Sequence, residues 1–394
     1  MYTIKFICEE LNIRPLISND LSSKISELVY DSRKVNNPDE SLFFALKATR
    51  DGHDFIPDAY KKGIRNFVIS NPVAFFEGKN DVNVIQVDNV LQFMQELVAY
   101  HRKQFQYPII GITGSNGKSI VKAWLFQLLI PEKKVYQSPK SYNSQLGVAL
   151  SLWNLGPQYD LAIIEAGISE PGEMSSLQQM IQPNIGIFTN IGVAHSQNFS
   201  SKQEKLKEKM KLFSQVDTLI AGSDYIDTEQ IDPNIRLVTW GRTDRDQIQL
   251  IQEETHNQLS KLKIRIGEVI CICQVPFTDR ASIENIMSCI ACMYFMGYDA
   301  ETIVERIQNL KPLEMRLQLK KGINNSSIID DSYSNDLASL KISLEFLNQQ
   351  NQHNSKTLIL SEMEGLAESE KLQQKLIGLL NSSELQKFIW VGNK

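Results

Sequence analysis

The chain has 394 residues, 42% of them hydrophobic and 22% charged, with a formal net charge of −5. That length exceeds one ordinary core and predicts about two to three domains, and the mild acidity with scattered lysines argues against a nucleic-acid partner. The N-terminus, MYTIKFICEELN, lacks the basic start, apolar core and cleavage site of a signal peptide, and no apolar run approaches the roughly 18 residues of a membrane span.

In chain order, residues 1–85 mix short helices with apolar runs such as SLFFAL and NFVIS and end near VNVIQVDN, a small α/β unit. A helical pattern, VLQFMQELVAYHRKQF, starts at Val90 and leads to the apolar run YPIIGIT. The region up to about residue 312 alternates apolar runs (YPIIGIT, DLAIIEAG, IGIFTNIG, DTLIAG) with helical or loop segments. Short continuous apolar runs alternating with helices predict a parallel sheet covered on both faces. Its ligands would gather at the carboxyl ends of the strands, where GITGSNGKS, EAGIS and TNIGVAH begin.

Further on, QIQLIQEE and KLKIRIGEVICICQVPF read as an antiparallel excursion with a turn at Gly267–Glu268. DRASIENIMSCIACMYFMGYD then reads as an amphipathic helix in which Met287, Met293 and Met296 fill the core. From Pro312 onward come the strand-like SSIIDDSY, a helix from about Asp336 to Leu347, the strand TLILSEM, another helix and KFIWVG. That last run has no helix after it to cover its sheet, so the sequence predicts an unfinished sheet in a piece of something longer.

Residues 111–119, GITGSNGKS, carry the strongest chemical signal. A strand feeding a glycine turn at a helix N-terminus aims unpaired N–H groups at one point, where an anion replaces the missing partners. Lys118 would reach the terminal phosphates and the Ser119 hydroxyl a magnesium ion. The loop departs from the general pattern: Ile112 stands five residues before Gly117, and Gly111 lies one place earlier.

The five cysteines, Cys8, Cys271, Cys273, Cys289 and Cys292, are odd in number, sit in apolar segments and lack zinc-site spacing. They read as buried free thiols in a reducing compartment, the cytoplasm.

Six ordered motifs converge: TGSNGKS at 113–119, YNSQLG at 142–147, EAGISEPGEM at 165–174, TNIGVAH at 189–195, EKMKLF, and DDSYSN at 330–335. The set resembles the Mur ligases, ATP-dependent enzymes that form the amide bonds of the peptidoglycan stem peptide. DSRKV at 31–35 with SLFFALKATRDGHDFI is similar to the sugar-nucleotide-binding domain of the later members. DDSY and SPKSYNSQLGVALSLWNL look most like members that join D-alanyl-D-alanine to UDP-N-acetylmuramoyl-tripeptide. KSYNSQLG, EAGIS and EKMKLF look like the ligase half of bifunctional proteins whose other half is an alanine racemase.

The resemblance implies three α/β domains: residues 1–85 for the UDP-sugar, residues 86–312 as a central P-loop sheet binding ATP, and residues 313–394 as an incomplete Rossmann-like ligase domain. It implies ATP, two Mg2+ ions and a carbamate on Lys209 made from CO2. Gly114, Ser115, Asn116, Gly117, Lys118 and Ser119 would cradle the phosphates. Asn285, Asp331 and Tyr333 would hold adenine and ribose, and Arg316 would approach the phosphates. Ser119 would ligate one Mg2+ and His195 and carbamylated Lys209 the second, Glu165 would bind magnesium, and Lys118, His195 and Lys209 would be catalytic. Ser32, Arg33 and Asn143 would meet the UDP-sugar.

The same residues admit plainer readings. A strand-end Glu165 also serves as a helix cap or surface charge, and a lone His195 as a structural residue. Asn190 would hold loop geometry by bonding its own backbone. A lysine-rich helix is usually a solvated face, which is the reading for Lys205, Lys207 and Lys211, although they remain alternatives to Lys209. Asp331 also fits an N-cap and Asn143 a turn. Ser334, Asp336 and Leu337 stand where the family's usual asparagine and proline follow the tyrosine, so the contacts of that loop differ. Competing readings are folylpolyglutamate synthase, a sister ligase adding a diamino acid or lysine, and a catalytically incomplete nucleotide-binding fragment.

Overall fold

The computed structural model describes residues 1–48, 50–192, 199, 201–256, 259–313, 318–324, 326–332, 335–349, 353, 355–363, 366–367 and 369–392. In chain order the elements begin with β1 (Tyr2–Thr3), α1 (Ile4–Glu10), β2 (Lys24–Ile25), β3 (Glu27–Val29), β4 (Ser41–Phe44), α2 (Ile56–Lys61), β5 (Asn66–Ile69), β6 (Asn83–Gln86) and α3 (Val90–Lys103). Then follow β7 (Ile109–Thr113), α4 (Lys118–Leu129), β8 (Val135–Gln137), α5 (Gln145–Trp153), β9 (Leu161–Glu165), α6 (Glu173–Ile181), β10 (Ile185–Phe188), α7 (Lys202–Met210), β11 (Thr218–Gly222) and β12 (Arg236–Gly241). β13 (Ile248–His256), β14 (Leu259–Ile266), β15 (Val269–Val275), α8 (Arg280–Phe295) and α9 (Ala300–Gln308) complete the middle of the chain. Last come β16 (Gln318–Lys321), β17 (Ser327–Asp330), α10 (Leu337–Gln349), β18 (Thr357–Ser361), α11 (Glu370–Asn381) and β19 (Lys387–Val391).

These elements form two compact units, one of residues 1–107, 141–158 and 175–182, the other of residues 108–140, 159–174 and 183–394. The first is built on a parallel sheet in the order β3-β4-β5-β6. Phe43, Phe67 and Val84 fill its core, and the buried amide of Asn83 donates to Asn66 Oδ1 at 2.7 Å, so polar groups at the sheet's heart are paired. α3 starts where the Asn89 side chain accepts from Gln92 N–H and ends on His101, Arg102 and Lys103, of which the cations Arg102 and Lys103 suit the negative end of a helix. In that last turn Tyr2 Oη donates to His101 Nδ1 at 2.9 Å, and His101 Nε2 lies 3.2 Å from the Leu155 carbonyl.

The second unit carries a nine-stranded sheet in the order β15-β14-β13-β12-β11-β10-β7-β9-β8. Every residue of β7, β9, β10 and β11 is buried, as continuous apolar runs covered on both faces must be. The expected parallel arrangement holds from β8 to β13, and the expected antiparallel excursion is β13-β14-β15, turning at Gly267 with φ +57°. α4 and α8 cover the sheet through Val121, Leu125, Ile286 and Ile290, and Met287 and Met293 are core residues as expected. Gly111 sits inside β7, where an added Cβ would come 2.8 Å from Pro183 Cβ. It lets Pro183, in the connection before β10, pack closely on the sheet and takes no part in the turn.

The C-terminal elements pair as an antiparallel hairpin, β16-β17, and a parallel pair, β18-β19; Leu340 and Leu344 of α10, Leu360 of β18 and Leu376 of α11 share a core. All five cysteines are free thiols. Among the described residues no helix is long and apolar enough to cross a membrane.

Candidate nucleotide and metal site

Chain order and sheet order part company at β7: the chain passes from β7 to β8 and β9 on one side, then to β10 on the other. Ligand sites form at such switch points, at the carboxyl ends of the strands. The register puts Ile112 beside Glu165 and Thr113 beside Phe188, so the ends of β7, β9 and β10 meet at one edge.

The turn after β7 is held by the segment after β10. Asn116 N–H donates to Asn190 Oδ1 at 3.0 Å, and Asn190 Nδ2 donates back to the Asn116 carbonyl at 3.2 Å. The Thr189 hydroxyl donates to that carbonyl at 2.5 Å, Ser115 N–H to the Asn190 carbonyl at 2.9 Å, and Gly192 N–H to Ser115 Oγ at 2.8 Å. Asn190 therefore fixes the phosphate loop and not its own backbone, which corrects the sequence reading. A Cβ on Gly114 (φ +150°) would collide with Thr189, and one on Gly117 (φ +84°) with Asn285 Oδ1, so the cradle closes only with glycine at both places. This brings Asn285, from α8, against the loop. α4 opens with Lys118 directly after Gly117, its first N–H groups facing the turn.

Ser119 Oγ donates to Glu165 Oε2 at 2.8 Å. Glu165 is fully buried, which eliminates its reading as a surface charge, and its Oε1 has no hydrogen-bond partner among the described residues. The Lys122 ammonium lies 3.5 Å from Oε1. A buried carboxylate with one oxygen unsatisfied, beside a hydroxyl at the mouth of a phosphate loop, matches the oxygen donors that magnesium takes from a protein. Ser119 and Glu165 therefore fit the expected ion.

Three lysines converge on the same edge. Lys118 Nζ donates to the Gly114 and Ser115 carbonyls at 2.9 and 3.1 Å, Lys209 Nζ to the Gly114 carbonyl at 3.1 Å, and Lys205 Nζ to the Gly192 carbonyl at 2.9 Å. Lys205 was expected in solvent yet is 1% exposed; it shares a face of α7 with Lys209, four residues on, and that face turns inward. Lys207 and Lys211 are exposed as expected. Burial, then the charges of Lys118 and Lys205, push the Lys209 amine well below the ordinary lysine range. Burial and Lys118 bring Lys205 down to about 8, with Asp336 opposing them. Glu208 orients the helix, accepting from Gly172 N–H at 2.9 Å and Met174 N–H at 3.2 Å.

The remaining expected residues divide into three groups. His195, Arg316 and Tyr333 lie outside the described residues. Asp331 accepts from the Ser343 hydroxyl at 2.5 Å, while it is Asp336 that accepts from Ser339 N–H at 3.0 Å at the start of α10. In the first unit Ser32 is buried and donates to Asp58 Oδ2 at 2.5 Å, Arg33 is exposed with Nε 2.9 Å from Asp31 Oδ1, and Asn143 directly precedes Ser144, the cap of α5. Lys122 and Thr189 escaped the sequence reading, and Lys205 entered it only as an alternative to Lys209. Helical spacing carried a signal for two of them: Lys122 is four residues beyond Lys118, and Lys205 four before Lys209.

The chain matches the family described as Mur ligase middle domain over residues 112–293 and that described as Mur ligase family, catalytic domain, over residues 24–102. It is 29% identical over 386 residues to the UDP-N-acetylmuramoyl-tripeptide–D-alanyl-D-alanine ligase of Rickettsia prowazekii, covering 95% of this chain and 84% of that protein. Among solved structures it superposes on MurF from Acinetobacter baumannii with a TM-score of 0.87 at 20% identity, covering 100% of this chain and 86% of that one. It superposes on the MurF ligase of Thermotoga maritima in complex with ADP at 0.79 and 19% identity, covering 94% and 88%.

Proposed function

Because this chain belongs to the Mur ligase family, we propose that it joins D-alanyl-D-alanine to UDP-N-acetylmuramoyl-tripeptide in peptidoglycan precursor synthesis, using ATP. The observation that carries this reading is the strand edge where the phosphate turn, the buried Glu165–Ser119 pair and the lysines Lys118, Lys205 and Lys209 converge. The match to the Rickettsia relative, which covers 84% of that protein, supports the same substrates.

A carboxylate forms an amide only after its oxygen becomes a good leaving group. Transfer of the γ-phosphoryl group of ATP to the tripeptide carboxylate gives an acyl phosphate, and attack by the dipeptide amine releases phosphate. Such a transfer needs positioning and charge neutralisation more than covalent help. The amides of residues 114–119 and Lys118 take the phosphate charge, Asn190 and Thr189 keep the turn in shape, and Asn285 bounds it. Magnesium held by Ser119 and Glu165 would neutralise the phosphate oxygens.

The depressed basicity of Lys209 supports its carbamylation by CO2, which needs a neutral amine and would give a second ion an oxygen ligand, with His195 as its partner. Asp331, Tyr333 and Arg316 complete the nucleotide side of this reading, and Ser32, Arg33 and Asn143 the UDP-sugar side. The reaction belongs to the cytoplasm, where ATP is available. Fusion to an alanine racemase half rests on the KSYNSQLG, EAGIS and EKMKLF motifs alone, and the mass of the native protein tests it.

The deciding experiment measures phosphate release with ATP, Mg2+, UDP-N-acetylmuramoyl-tripeptide and D-alanyl-D-alanine, omitting each in turn. Turnover that needs all four supports the reading. Turnover with a diamino acid or lysine in place of the dipeptide points to a sister ligase, and no turnover with any amine rejects the ligase.

A further inference from the structure

Lys122 is three residues beyond Ser119 on α4, so both side chains leave the helix on one side. It is 3% exposed. Its Nζ donates to the Ser138 carbonyl at 2.8 Å, to Ser138 Oγ at 3.3 Å and to the Lys140 carbonyl, all on the segment leaving β8. Lys140 presents that carbonyl from a left-handed backbone, φ +47°, a conformation a side chain adopts only under outside constraint.

A buried ammonium must spend its three protons. Here main-chain carbonyls and a hydroxyl take them, and the carboxylate oxygen Glu165 Oε1 stands farther off, at 3.5 Å. The charge of Lys122 thus compensates that of Glu165 without occupying Oε1, the oxygen that has no hydrogen-bond partner among the described residues. A tighter ion pair would block the oxygen, and an apolar side chain would leave a buried carboxylate uncompensated.

We infer that Lys122 is a positioning residue that fixes the Glu165 carboxylate against the β8 exit while leaving Oε1 open to a divalent cation. The inference rests on Glu165 being a metal ligand. Groups that orient metal ligands typically tune affinity as strongly as some ligands do.

The test uses the full chain with saturating ADP and Mn2+ as the probe, its binding read by electron paramagnetic resonance, with metal-free ADP affinity measured alongside. Lys122→Met is expected to weaken Mn2+ binding roughly tenfold with metal-free ADP affinity unchanged. Lys122→Arg, which keeps the buried charge but not the point-like donor geometry, is expected to weaken it less. Glu165→Gln separates the two ideas. If Glu165→Gln leaves Mn2+ binding intact, Glu165 is no ligand and the inference falls with it. If Glu165→Gln weakens binding while both Lys122 variants match the parent, only the role of Lys122 is overturned. Equal loss of metal-free ADP affinity in Lys122→Met marks a mere loop brace and also overturns it. If Lys122→Met does not fold, Lys122→Arg decides: weaker Mn2+ binding supports the inference, and parental binding rejects it.

Discussion

A Cβ at Gly117 would come 2.2 Å from Asn285 Oδ1, so the last residue of the phosphate turn and a buried asparagine of α8 keep their present fit only with glycine at 117. Gly117 also holds φ +84°, which costs a residue with a Cβ about 1–3 kcal/mol. Gly117→Ala is therefore expected to weaken ADP binding by roughly tenfold or more. Combining it with Asn285→Ala removes the collision but not the backbone strain, so the double variant should lose less than the sum of the singles. Isothermal titration with ADP checks both; strictly additive losses would show that the two residues do not meet.

Asn190 offers a second check on the cradle. Its amide exchanges two hydrogen bonds with Asn116, at 3.0 and 3.2 Å. Asn190→Ala leaves part-buried main-chain groups without these partners, at about 1–3 kcal/mol. The expected outcome is a raised KM for ATP with a modest fall in thermal stability, because the loop loses shape while the sheet beneath keeps its core. A fall in kcat with KM unaltered would contradict this role.

Lys209 and Lys205 are coupled through charge. Burial, then the charges of Lys118 and Lys205, lower the Lys209 pKa well below the ordinary lysine range. Carbamate occupancy should fall as pH drops through the lowered Lys209 pKa. Lys205→Met removes one repelling charge, raises the Lys209 pKa and should lower carbamate occupancy at any given pH within that range. A carbamate resonance in 13C spectra after exchange with labelled bicarbonate reads this directly, and Lys209→Arg should abolish it. A signal that survives Lys209→Arg assigns the carbamate to another lysine.

Much of this site was legible because its chemistry is local in sequence. GITGSNGKS carries strand, turn and helix start in nine residues, and the buried runs that form β7, β9, β10 and β11 announce a sheet covered on both faces. What sequence could not supply is which neighbour completes each hydrogen bond. Asn190 was read as bonding itself because turn asparagines often do, whereas the adjacency of β10 to β7 sets it beside Asn116, 74 residues away. Lys205 was read as solvated because its segment is lysine-rich; only the packing of α7 separates the inward pair, Lys205 and Lys209, from the outward pair, Lys207 and Lys211. Gly111 seemed a displaced member of the phosphate loop until Pro183 was seen to lie against it.

His101 provides a prediction about stability in the other unit. Tyr2 Oη donates to Nδ1, and with that nitrogen accepting, Nε2–H donates to the Leu155 carbonyl, so the ring is neutral with both nitrogens used. Burial is the main cause that takes its pKa down to about 4 from the usual 6.5, and the Leu155 carbonyl opposes it. Because the folded pKa lies below the unfolded one, the unfolded chain binds a proton between these values that the folded protein refuses. Stability from this group is complete above pH 6.5 and declines as pH falls towards 4, by up to about 3 kcal/mol. Urea unfolding at stepped pH should show that decline, and His101→Gln, which cannot take up the proton, should remove this part of the slope at the cost of a lower stability at neutral pH. Equal slopes in the parent and His101→Gln would mean that other groups set the acid sensitivity.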